Sequence, residues 1–231
     1  MKKLSLLFLF LMPLYCIKAQ ISQVQKDSAV RQLYFKSASF QYNIDFKPHE
    51  YLGNDYTNTF NEKMTDEEIL SKLSKSHQDA EAFTALCYRF FDRKEMKTAA
   101  EYFDKAIESL KNWSDAETNN PKPVMMLLDL CAYTQSYRVF DNMTEEALKR
   151  FPQNLPILNR IAIHKLTIQR NFKEAETLLN QALAKEPYHL PSVANWLALQ
   201  QFQFIVNLSN QAQKDAKIDI SLAQKALKNN P

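Results

Sequence analysis

The chain has 231 residues, 45% of them hydrophobic and 24% charged, with a formal net charge of +3 and a single glycine, Gly53. One glycine cannot furnish a Walker loop, a dinucleotide-binding fingerprint or a GxSxG elbow, which all need more than one. Residues 1–19 hold Lys2, Lys3 and Lys18 and no acid, so without them the formal charge is zero and no electrostatic footprint for nucleic acid remains.

Residues 1–19 read as a signal peptide: a basic start, an apolar run from Leu4 to Tyr15 and a short polar stretch ending at Ala19. About a dozen apolar residues are too few for a comfortable membrane span. Cleavage after Ala19 leaves Gln20 first and no transmembrane segment. The expected location is the periplasm or the outer envelope, and the KAQ ending resembles that of Bacteroidetes envelope proteins. Cys16 offers lipid attachment as an alternative, against which Tyr15 is bulky for the preceding position.

Residues 20–64 form an N-terminal extension or cap. They are dense in aromatics: Tyr34, Phe35, Phe40, Tyr42, Phe46, Tyr51, Tyr56 and Phe60. Gln23 to Phe40 could be helical, and the part with Pro48, Gly53 and Asn54 reads as loop. Three roles stay open for this extension: covering the end of the fold, acting as a binding arm, or folding back into a groove.

Residues 65–231 read as helices throughout. Thr65 with Glu68 is a capping box opening a short helix whose face carries Ile69, Leu70 and Leu73. Ala80 to Leu110 is a helical hairpin, followed by a polar connection from Asn112 to Pro123. Val124 to Pro152 is a second hairpin turning near Gln135. Asn154 to Pro187 is the clearest, with Phe172, Ala175, Leu178, Leu179, Ala182 and Leu183 on one face and Asn171 with Glu174 at its start. A last unit from Pro191 to Pro231 carries a long connection, Asn207 to Asp219. The first helix of the third hairpin has Leu158, Ile161, Ala162, Ile163, Leu166 and Ile168, too many apolar residues for one stripe, so it must be covered on more than one side.

The spacing Phe83-x2-Leu86-Cys87-x2-Phe90, then Ala99-x3-Phe103 and Ala106, resembles the tetratricopeptide repeat (TPR), a helix–turn–helix of about 34 residues. Ala175-x3-Leu179 with Ala182 and Pro187 repeats the second half of that pattern. In the first copy Lys111 stands where the family has its closing proline. In the second copy Leu128, Phe140 and Thr144 depart from it, and in the third Asn159 and Ile163 do.

The resemblance implies an all-α, TPR-like helical-hairpin solenoid of about three to four repeats behind an aromatic-rich extension. It implies a groove lined by first helices: Glu81, Thr84, Tyr88 and Phe91 in the first repeat, Met125, Asp129 and Tyr133 in the second, Ile157, Arg160, His164 and Thr167 in the third. Exposed aromatics beside Arg160 would suit an extended peptide or a partner helix.

The function expected from this is a non-catalytic scaffold that binds another envelope protein or peptide. Self-assembly through the uncapped C-terminal face is the alternative. A weaker one is an accessory role in glycan uptake, since similar helices occur in SusD-like proteins. The chain is expected not to be an enzyme and to need no cofactor or metal. His49, His77, His164 and His189 are scattered, and Cys87 with Cys131 are expected as unpaired core thiols rather than a disulfide.

Overall fold

The computed structural model describes residue 60 and residues 64–73, 77–209 and 219–229. The expectations for the leader, for the aromatic stretch before Phe60 and for residues 210–218 lie outside them. Among the described residues there are nine helices and no strand: α1 Asp66–Ser71, α2 His77–Asp92, α3 Met96–Ala116, α4 Lys122–Tyr133, α5 Tyr137–Arg150, α6 Leu155–Thr167, α7 Phe172–Lys185, α8 Leu190–Ser209 and α9 Ser221–Asn229. They divide into two compact units, one spanning Phe46–Ile161 and the other including Ala162–Pro231, with the boundary inside α6.

The first unit opens with the expected capping box. Thr65 N donates to Glu68 Oε2 at 2.7 Å and Glu68 N to Thr65 Oγ1 at 3.2 Å, so two amides without helical partners are satisfied reciprocally. Asp66, Glu67 and Glu68 place negative charge at the positive end of the helix. Asp66 also ties α1 to α2, accepting from Arg89 at 3.0 Å and from Arg93 at 2.5 Å. Burial opposes its charge, but the guanidiniums of Arg93 and Arg89 outweigh that and hold its carboxyl below the usual range. Beneath this seam, Ile69 of α1 packs with Phe60, Ala82, Ala85 and Leu86.

Helices α2 and α3 run antiparallel. Cys87 Sγ lies 3.4 Å from the carbonyl oxygen of Ala99, Phe83 meets Tyr102 at 6.3 Å between ring centroids, and Ala80 clusters with Ala106, Leu110 and Trp113. Small side chains at 80, 87, 99 and 106 let the backbones close up. Tyr102 also stacks on Phe90 at 5.3 Å, filling the space beside the seam.

The polar connection expected from Asn112 is a correction: α3 continues through it to Ala116. With Lys111 in place of a proline nothing breaks the helix there, and Trp113 extends the apolar face of Leu110 by one turn. Arg150 closes the end of α3, donating to the carbonyl oxygens of Ser114 at 2.8 Å and Thr118 at 3.2 Å. The second hairpin, α4 and α5, falls where its periodicity placed it. Phe140, Thr144 and Ala147 of α5 are buried, and the Thr144 hydroxyl returns to the Phe140 carbonyl oxygen.

In the second unit, Asn171 starts α7 as expected. Its Oδ1 accepts from Glu174 N at 3.2 Å and its Nδ2 donates to Glu174 Oε2 at 2.8 Å. Ala175, Leu178, Leu179 and Ala182 form the buried face, and Phe172 meets Phe202 of α8 at 6.5 Å. Val193, Ala194 and Leu197 of α8 enclose Ala223 and Ala226 of α9. Helix α8 continues past Asn207, where a connection was expected, to Ser209. Gln200 clamps the approach to α9, accepting from Asp219 N at 2.9 Å and donating to its carbonyl oxygen at 3.3 Å.

Three connections share one device. Lys94 (φ 62°), Gln135 (φ 58°) and Arg170 (φ 56°) adopt the left-handed conformation, each immediately before the residue that caps the next helix. In the first two the amide following the left-handed residue reaches back six residues inclusive, Glu95 N to Phe90 O at 2.9 Å and Ser136 N to Cys131 O at 2.8 Å. The third is one residue wider, Asn171 N to Lys165 O at 2.9 Å. An L-residue in this conformation costs about 1–2 kcal/mol, whereas glycine costs about 0.5–1 kcal/mol through unfolded-chain entropy. Lys94→Gly and Gln135→Gly should therefore each raise stability by roughly 0.5–1 kcal/mol in urea unfolding. A loss of stability would show that their side chains contribute more than the strain they cause.

Candidate functional site

None of the eleven residues expected to line a groove is exposed. In the first unit Glu81, Thr84, Met125, Asp129, Ile157 and Arg160 are buried, Arg160 to 2% exposure and Asp129 to 1%. Tyr88, Phe91 and Tyr133 are half-buried. In the second unit His164 is buried and Thr167 half-buried, its hydroxyl donating to the Ile163 carbonyl oxygen at 2.8 Å. The expectation that these positions present themselves to solvent is corrected. Helix α4 supplies the reason: every residue from Pro123 to Cys131 is buried, so its polar side chains must find partners inside.

They do so by ion pairing. Asp129 accepts from Arg160 in a bidentate pair, Nε to Oδ1 at 2.8 Å and Nη2 to Oδ2 at 2.9 Å. Arg160 Nη1 also donates to the Pro156 carbonyl oxygen at 3.1 Å. Near the start of α4, the Lys122 ammonium pairs with the buried Glu81 carboxylate and faces the Trp113 ring at 5.3 Å. Thr84 donates to the Ala80 carbonyl oxygen at 2.8 Å. At the far end of α4 the Tyr133 hydroxyl donates to Asp92, while its ring meets Tyr88 edge-on at 4.6 Å and Phe91 at 5.6 Å. Burial and the Asp92 carboxylate both push the Tyr133 phenol up.

These contacts fit a fixed aromatic and ionic seam. Lys122, Trp113 and Asp92 belong to this seam although the sequence pattern did not single them out. Their signal is long-range pairing, which helical spacing does not encode. Among the described residues no group of three or more His, Cys, Asp and Glu side chains is gathered to hold a metal ion. No described helix is long and apolar enough to cross a membrane.

Cys87 and Cys131 are free and fully buried, and burial pushes each thiol up to about 12. The Lys111 ammonium opposes the shift at Cys131 without offsetting it. Both thiols should be inert to a disulfide reagent at pH 8 until denaturant opens the core. Because each pKa is raised from about 9 in the unfolded chain to about 12 in the fold, the neutral thiols favour the folded state fully below pH 9. That advantage is lost as pH climbs from 9 toward 12. Prompt labelling of the folded protein would contradict this.

Removing one member of a buried ion pair strands the other, at a cost of about 3–5 kcal/mol. Arg160→Met should lower stability by that amount, and Asp129→Leu with Arg160→Met should recover most of it in denaturant unfolding. A double variant that loses the sum of the two single losses would mean the pair is not coupled.

Set against family models, curated proteins and solved structures, the chain matches none of them.

Proposed function

We propose that the chain is an exported, TPR-like scaffold that binds another envelope protein or peptide without catalysis. The observation that carries this reading is the recurrence of one helical hairpin. Pairs of helices join through short connections with a left-handed residue just before the next cap, and α2 and α3 interlock small residues along their seam. Such hairpins are the unit from which stacked-repeat binding proteins are built. The leader sequence and the absence of glycine-dependent motifs agree with it.

The interaction surface is narrower than the sequence alone suggested. Partner contact falls to the half-buried aromatic group Tyr88, Phe91 and Tyr133 in the first unit, where truncation removes contact area without stranding a buried charge. Arg160, Asp129 and Glu81 act in the interior. In-cell crosslinking of the tagged chain in its host, beside Phe91→Ala, tests the reading by mass spectrometry. The expected result is one envelope protein recovered with the unsubstituted chain and reduced several-fold by the substitution, while the far-UV spectrum is unchanged. Recovery of the chain alone would establish self-association instead and overturn the adaptor role.

A further inference from the structure

A cleft of about 170 Å³ opens between α3 and α5, with α4 as its floor. It exists because α3 runs on past Leu110: the residues of its last turns, Lys111, Ser114 and Asp115, build one wall. Val124 and Leu127 make a buried apolar floor, and Met143 with Ala147 line the opposite wall. The size suits a single apolar group, since a cavity of about 150 Å³ already accommodates benzene. It is too small for the ligands of roughly 300–1,000 Å³ pockets.

The rim carries charges of both signs, and their pairing is uneven. On α5, Arg150 meets Glu146 at 3.4 Å and is held in place by Ser114, whose hydroxyl accepts from Nη1 and whose carbonyl oxygen accepts from Nη2, both at 2.8 Å. Arg150 thus ties the two walls together at one end of the cleft. On α3, Lys111 and Asp115 stand one turn apart on the same face, yet neither makes an ion pair or a side-chain hydrogen bond with a described residue. Both side chains line the cleft. The α3 wall therefore presents one cation and one anion, a turn apart, above an apolar floor.

We propose that this cleft binds a free α-amino acid with an apolar side chain of leucine or methionine size. The ligand carboxylate lies on Lys111, its ammonium on Asp115, and its side chain on Val124, Leu127 and Met143. A zwitterion satisfies both charges at once, which a fatty acid or an alkylamine cannot. The flexible thioether of Met143 lets the wall adapt to branched or linear side chains. This site is separate from the aromatic group assigned to partner contact, so either can fail without the other.

The test is titration calorimetry and ligand-observed NMR on the purified chain with L-leucine and L-methionine. Two analogues dissect the head group: 4-methylpentanoate lacks the ammonium and 3-methylbutylamine lacks the carboxylate. Each should bind about fivefold more weakly than leucine, the scale of one partly exposed ion pair. Lys111→Gln should abolish the preference for leucine over the amine, and Asp115→Asn the preference over the acid. Both substitutions fall at exposed positions and should leave the melting temperature unchanged. Absence of saturable binding of either amino acid would overturn the assignment. Equal affinity for leucine and both analogues would also overturn it, because the rim charges would then play no part.

Discussion

Helix α4 has no solvent face between Pro123 and Cys131, and a helix buried all round cannot be stabilised by a single neighbour. It requires cover from α2, α3 and α5 together, and these are the helices that pack against it. Each buried leucine or methionine contributes about 1.5–3 kcal/mol by leaving water, but Asp129 sits in the same stretch and pulls the other way. The arrangement is stable only because Arg160 reaches it with two hydrogen bonds. Packing of the first unit thus turns on one helix and the one charge that helix buries.

Much of this was legible in the sequence. The capping residues Thr65 and Asn171 stated where α1 and α7 begin, because an unsatisfied amide at a helix start demands a side-chain oxygen nearby. Periodicity located the α4 and α5 hairpin and its turn near Gln135. The extension of α3 was missed because Asn112, Ser114 and Asp115 look like a loop when polarity is read without the apolar Trp113 between them. The burial of the candidate groove residues has a different reason. A charged residue on a helix is ordinarily solvated, and only the apolar runs on both sides of Asp129 and Arg160 hint that each lies inside. That hint was present, but the pairing of two residues far apart in the chain is a tertiary fact.

The connections show the same division between local and distant causes. Glycine is the ordinary occupant of a left-handed position after a helix, and a search for glycine would have found none of these turns. Lysine, glutamine and arginine occupy them instead. The bends are imposed by what the helices must pack against, with the local strain offset by the core they close.

Hairpins that resemble one another carry a particular hazard during folding, since each offers a seam to which the wrong neighbour could attach. The Asp129 and Arg160 pair discriminates against that outcome. A helix docked one turn out of place would bury a lone carboxylate or a lone guanidinium, and the penalty for a stranded charge exceeds what a few extra apolar contacts return. The pair therefore disfavours docking of α6 on α4 in any register that separates Asp129 from Arg160.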